Sequence, residues 1–154
     1  MTMAAMTLEE AREILEANLD KGISCPCCTQ YARRYRRKLN AGLARFLIYL
    51  YRQFQKQPQL EWFNIRQAKE GADFGVSISG EFCKLQCWGL IEPRPKDSGY
   101  WRLTDLGRAF VEKRTTVKSH IVVFNNTLEG FHGCDILITD ALASKFDYDE
   151  LMAE

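Results

Sequence analysis

Apolar positions recur at helical spacing twice near the start of the chain. In residues 7–20, Leu8, Ile14, Leu15 and Leu19 share one face, and Thr7 with Glu10 fits a capping box, so the pattern predicts a helix that Gly22 stops. A longer stripe follows, with Tyr31, Tyr35, Leu39, Leu43, Phe46, Leu47, Leu50 and Phe54 at steps of three and four. It predicts one helix from about Thr29 to Lys56, closed by Pro58. Beyond it the pattern shortens. Residues 62–70 suit a short helix or a strand leading into one, and residues 71–75 a turn. Residues 78–88 suit a second short helix with Ile78, Phe82, Leu85 and Trp88 inward.

From residue 90 the pattern becomes extended. Leu90-Ile91-Glu92 begins a strand, and Pro93 and Pro95 place it at a sheet edge, because proline has no N–H to give a ladder. Asp97-Ser98-Gly99 reads as the turn and Tyr100 to Leu103 as the return strand. Thr104 then caps a helix to about Arg114 that buries Leu106 and Phe110. In the tail, His120 to Phe124, Leu128 to Phe131 and Cys134 to Ile138 read as strands. Asn125-Asn126 supplies a turn between the first two, and Thr139 caps a last helical piece with Leu142, Phe146, Tyr148 and Leu151.

With 154 residues of which 46% are hydrophobic, the chain can bury a core as one compact domain with appendages. The expected division is an N-terminal extension over 1–28, a core over 29–114 and a β-hairpin with a helix over 115–154. The start, MTMAAMTLEEAREIL, turns acidic where a secretory signal is apolar, and the strongest apolar run, Phe46 to Tyr51, is too short for a bilayer. The expectation is a cytoplasmic protein with no membrane partner. A net charge of +1 conceals a strong asymmetry. Residues 31–118 carry 18 Lys and Arg against 8 acids, residues 1–30 two against five, and residues 119–154 one against seven. A basic middle between acidic ends points to a polyanion, or to ends that neutralise the middle themselves.

Two runs carry a resemblance. Trp88-Gly89-Leu90-Ile91-Glu92 leaves the second short helix, and Gly99-Tyr100-Trp101-Arg102-Leu103-Thr104-Asp105-Leu106-Gly107-Arg108 returns through the hairpin into the next helix. Together they resemble the wing region of bacterial and phage winged helix-turn-helix regulators, such as the MarR-like class, and the chain is similar to small phage and prophage proteins with that core. The resemblance covers about half the chain. It implies an α+β, mainly α fold: a winged-helix core with an N-terminal helix and a C-terminal β-hairpin and helix. It implies binding of double-stranded DNA in a regulatory or phage-related accessory role, without catalysis, and a homodimer through the apolar faces of 8–19 and 142–152. On that reading Arg94, Lys96 and Arg102 hold the wing on phosphates. Arg33, Arg34, Arg36, Arg37 and Lys38 add backbone contacts, and Lys84 with Ser79 approaches the major groove. The outward face of the second helix, Gly80, Cys83, Lys84 and Cys87, is poor in side chains that read base edges. The other reading is therefore a protein-interaction module on the same scaffold, stabilised by zinc.

Zinc enters through the cysteines. Cys25 and Cys28 have C-x-x-C spacing, and Cys83 and Cys87, at i and i+4, would share one face of an α-helix. The four together would make a tetrathiolate site, with Cys27, His120, His132 and Cys134 as further donors. A thioredoxin-like redox role is disfavoured, because an acidic helix precedes the CPCC segment where such folds place a strand. No phosphate-binding glycine loop and no G-x-S-x-G run is present.

Overall fold

The computed structural model describes residues 5–65, 82–96, 99–125 and 127–153. These fall into two compact units, one of residues 1–37 with 120–132 and one of residues 38–119 with 133–154.

The first unit opens with α1 (Leu8–Asn18). Thr7 Oγ1 accepts the Glu10 N–H at 3.1 Å, satisfying an amide the helix itself cannot pair. The turn after the helix closes at Gly22, whose N–H reaches the Asn18 carbonyl at 2.9 Å with φ at +91°. The left-handed φ favours glycine there, and an added Cβ would meet the outer end of the exposed Tyr31 ring. The chain then makes an antiparallel hairpin of β1 (Ile23–Ser24) and β2 (Tyr31–Ala32), with Ile23 opposite Ala32. Its tip carries the CPCC segment. Next comes β3 (Tyr35–Lys38), an outer strand of a sheet ordered β3-β7-β8, where β7 is Val117–Phe124 and β8 is Thr127–Ile136.

The second unit is built around α2 (Ala41–Lys56), which buries Leu43, Phe46, Leu47 and Leu50 as its stripe predicts. A sheet ordered β4-β6-β5 packs with it: β4 (Phe63–Asn64), β5 (Ile91–Pro93) and β6 (Tyr100–Leu103), all antiparallel. Pro93 lies on outer strand β5, where a missing donor costs nothing. A 3₁₀ helix, Phe82–Trp88, buries Phe82, Leu85 and Trp88. Phe82 sits 5.4 Å from the Phe46 ring and 5.3 Å from Trp101, and the Trp88 indole N–H donates to the Lys118 carbonyl at 2.8 Å. Then come α3 (Asp105–Val111), capped by Thr104, and the short helices α4 (Ile138–Leu142) and α5 (Tyr148–Ala153).

Several expectations are corrected. The chain is not the mainly helical winged-helix fold that the motifs imply. About 41% of the described residues are helical and 27% are in strands, spread over three small antiparallel sheets and six helices. The largest single change is residues 29–40. The expected long helix is two strands followed by a helix beginning only at Ala41. Asn40 is the reason: its side chain accepts the Leu43 N–H at 2.9 Å, so it starts a helix instead of continuing one. Tyr31 and Tyr35, which extend the apolar stripe in sequence, are 56% and 43% exposed. Leu106 is exposed while Phe110 is buried. In the tail, β8 runs unbroken to Ile136, and α4 has Leu137 as its N-cap, whose N–H donates to Asp140 at 2.8 Å, so Thr139 lies inside the helix. The sequence readings over 66–81 and at Asp97, Ser98 and Asn126 lie outside the described residues.

One surface pairing of the second unit yields a pH expectation. Tyr51 Oη donates to Glu112 at 2.8 Å, and Arg114 Nη2 lies 2.6 Å from the same carboxylate. The Tyr51 hydrogen bond, then Arg114, hold the Glu112 carboxyl below its ordinary value of 4.5. A depressed carboxylate stabilises the fold above its unfolded pKa, and that contribution is lost as pH falls through the folded one. Glu112→Gln therefore flattens the loss of stability on acidification below about pH 4.5, measured by urea unfolding across pH, and leaves the slope at neutral pH unchanged.

Candidate nucleic-acid interface

In the first unit the arginines of the YARRYRRK run have two different fates. Arg34 is turned to the protein. Its Nε lies 2.5 Å from Glu129 and its Nη1 3.1 Å from Asp20, while its N–H donates to the Leu19 carbonyl at 2.8 Å. The Glu129 and Asp20 hydrogen bonds raise its pKa further, so it is a permanently charged tie. Arg33, Arg36 and Arg37 are exposed, and among the described residues no carboxylate pairs with them.

Strand geometry sets their arrangement. Successive side chains alternate, so Tyr35 and Arg37 project from one side of β3 and Arg36 and Lys38 from the other, and all four are exposed. The guanidinium groups of Arg33 and Arg37 stand 5.6 and 5.2 Å from the Tyr35 ring centroid. Each contact favours a cation over an aromatic face and limits the motion of a long side chain. Beside this group is an open cleft of about 270 Å³ whose lining includes Leu15, Cys25, Cys28, Tyr31, Arg33 and Tyr35. The result is an exposed aromatic flanked by two cations, next to exposed Tyr31.

The β5–β6 hairpin of the second unit carries a smaller set. The Arg94 guanidinium lies 4.4 Å over the Tyr100 ring, and that of Arg102 lies 4.2 Å over Trp62. Arg102 is also paired with Glu92 at 2.5 Å, directly across the strands, so much of its charge is answered within the hairpin. Lys96 is exposed in the turn, and Lys84 is half-buried on the 3₁₀ helix. Lys38 belongs to this unit by its packing. Ser79 lies outside the described residues.

The cysteines separate as well. Cys83 and Cys87 lie on a 3₁₀ helix, not an α-helix. Three residues per turn put i and i+4 about 120° apart, so the shared face expected of them is lost. Burial pushes the Cys83 thiol up. Cys25 is in the opposite situation. The backbone of Cys28, then that of Cys27, favours its thiolate and lowers its pKa from the ordinary thiol value. Among the described residues, no group of three or more His, Cys, Asp and Glu is placed to hold a metal ion. His120 and His132 face one another in the first unit with rings 6.0 Å apart.

Residue chemistry alone points to the arginines, whereas the helical period places Tyr31 and Tyr35 in a helix core and the structure leaves both exposed. The alternation of tyrosine with arginine just before an N-capping asparagine was the available signal. Among the described residues, no helix is long and apolar enough to cross a membrane. No family model, curated protein or solved structure matches the chain.

Proposed function

We propose that the chain binds nucleic acid through its phosphate backbone, with duplex DNA as the principal ligand, and that Arg33, Arg36 and Arg37 make the main contacts in the first unit. The observation that carries this reading is the arrangement around Tyr35. Three cations without acidic partners lie on or next to an exposed strand, and two of them are steadied against an aromatic ring. Arg34, tied to Asp20 and Glu129, braces the same segment. Cations held in this way neutralise phosphates and release condensed counterions, giving affinity without reading sequence. The hairpin residues Arg94 and Lys96 offer a second contact of the same kind. The contacts proposed here are to phosphates, so binding is expected to vary weakly with sequence.

Charged side chains on an outer strand also discourage strand-to-strand aggregation. Binding separates the two roles. Fluorescence anisotropy with a labelled random-sequence duplex should give a dissociation constant on the order of 10⁻⁶ to 10⁻⁴ M at near-physiological salt, tightening as salt falls. A chain that ignores duplex DNA even at low salt would refute nucleic-acid binding and leave a protein-interaction module as the better description.

A further inference from the structure

We propose that the cleft beside Tyr31 takes the base of one unpaired nucleotide in a bound strand, so that DNA with a single-stranded end is held more tightly than blunt duplex. The site presupposes the nucleic-acid binding proposed for Arg33, Arg36 and Arg37 and adds to it a place for a base.

The cleft has the parts that a base and its phosphate use. It is open, has a volume of about 270 Å³ and lies within the first unit. Leu15 and Phe124 give it apolar lining, Gln30 and Asn125 give it amides that both donate and accept, and Arg33 gives it a cation. Among the described residues no Asp or Glu lines it, so its charge favours an anion. Drug-sized ligands fill pockets of about 300–1,000 Å³, so this volume suits one ring system and not a run of bases.

Tyr31 is the stacking platform. Its backbone is fixed by pairing with Ser24 in the β1–β2 ladder, and beside it the Cys25 N–H donates to the Gln30 carbonyl at 2.8 Å. Its hydroxyl end lies over Gly22, in space that any other residue's Cβ would occupy. The ring is still 56% exposed, so a planar ligand can reach it. Tyr35 has a different part, because Arg33 and Arg37 already stand against its ring. Among the described residues no cation is so placed on Tyr31. Tyr35 therefore steadies cations for phosphates, and Tyr31 offers its ring to a base. A paired base is stacked between its neighbours and shows a protein only its edges, so the occupant is unpaired. Every base has a π-face, so the gain depends little on which base is bound.

The test measures fluorescence anisotropy of the full-length chain with labelled probes built on one duplex: blunt, with a short thymidine overhang, and with the same overhang made abasic. The abasic overhang keeps the phosphates and loses the bases, which separates stacking from charge. The base-bearing overhang should bind roughly five- to a hundredfold more tightly than the abasic one, the range that stacking of one base gives. Tyr31→Leu should abolish that difference, and Tyr31→Phe, which keeps the ring, should retain it. Free thymidine monophosphate lacks the flanking phosphates and should not reverse the gain at matched concentration. Equal affinity for the two overhangs, a difference that survives in Tyr31→Leu, or reversal by the free nucleotide would each overturn the base site, while binding of blunt duplex leaves the backbone contacts standing. Failure of every probe to bind at low salt would overturn both. The comparison of overhangs uses the wild-type chain, so it decides the matter even if a Tyr31 variant fails to fold.

Discussion

Gly107→Ala unfolds at a clearly lower urea midpoint than the wild type, a loss of roughly 1–3 kcal/mol or somewhat more. On propensity alone the change should help, because alanine is favoured over glycine within a helix by about 1 kcal/mol. Packing decides against it. A Cβ at Gly107 would lie 2.0 Å from the Leu90 carbonyl oxygen, 3.0 Å from its carbon and 3.1 Å from Leu103 Cδ2. The oxygen cannot turn aside, since it accepts the Thr104 N–H at 3.1 Å. Thr104 is itself fixed from two sides. Its hydroxyl donates to the Gly89 carbonyl and accepts the Gly107 N–H at 3.0 Å. Alanine at 107 must therefore lift α3 from the end of the 3₁₀ helix or open the Thr104 cap, and either exposes Phe110, which is fully buried. Gly130→Ala is the matched control. Nothing lies within 4 Å of its added carbon, and its stability should stay within about 0.5 kcal/mol of wild type. Equal stability of the two variants would show that the close approach at Leu90 does not constrain the fold.

The second large effect is on binding. Changing Arg33, Arg36 and Arg37 together to Ala should make the salt dependence of duplex affinity shallower by about 2.7 in log–log slope, at roughly 0.9 per phosphate contact. Between about 50 and 200 mM salt, that slope is worth a further loss on the order of fortyfold in the wild type relative to the variant. Arg34→Ala should behave differently. It strands Asp20 and Glu129 and loosens the first unit, but exposed pairs of this kind contribute only about 0.2–1 kcal/mol each, and the salt slope should change little while the fold persists. A variant lacking all three exposed arginines with an unchanged slope would move the interface elsewhere, the β5–β6 hairpin being next.

Local chemistry explains which parts of this fold were readable from sequence. The Thr7 and Thr104 caps, the α2 stripe from Leu43 to Leu50 and the outer position of Pro93 follow from neighbours within a few residues, and each is found. Residues 31–38 were not readable in that way. Their tyrosines continue a helical period, but Tyr31 and Ala32 pair with β1, and β3 pairs with β7, some 80 residues later, where the Ser119 carbonyl also accepts the Leu39 N–H at 2.9 Å. A pattern within a window holds no information about a partner so distant. The same misreading obscured the candidate interface. Five basic residues on a helix would spread around its surface, whereas on and beside a strand two of them bracket Tyr35 and one, Arg34, turns inward to acids at positions 20 and 129. The cysteine pair on Phe82–Trp88 failed for a related reason: i, i+4 spacing has meaning only once the helix type is known.

Arginine protection tests the proposed interface most directly. Phenylglyoxal modification of the wild-type chain, mapped by peptide mass spectrometry with and without saturating duplex DNA, reports each guanidinium separately. The account predicts that Arg33, Arg36 and Arg37 react readily in the free protein and are shielded by DNA, while Arg34 reacts slowly in both states. Equal reactivity of Arg33, Arg36 and Arg37 with DNA present would contradict it.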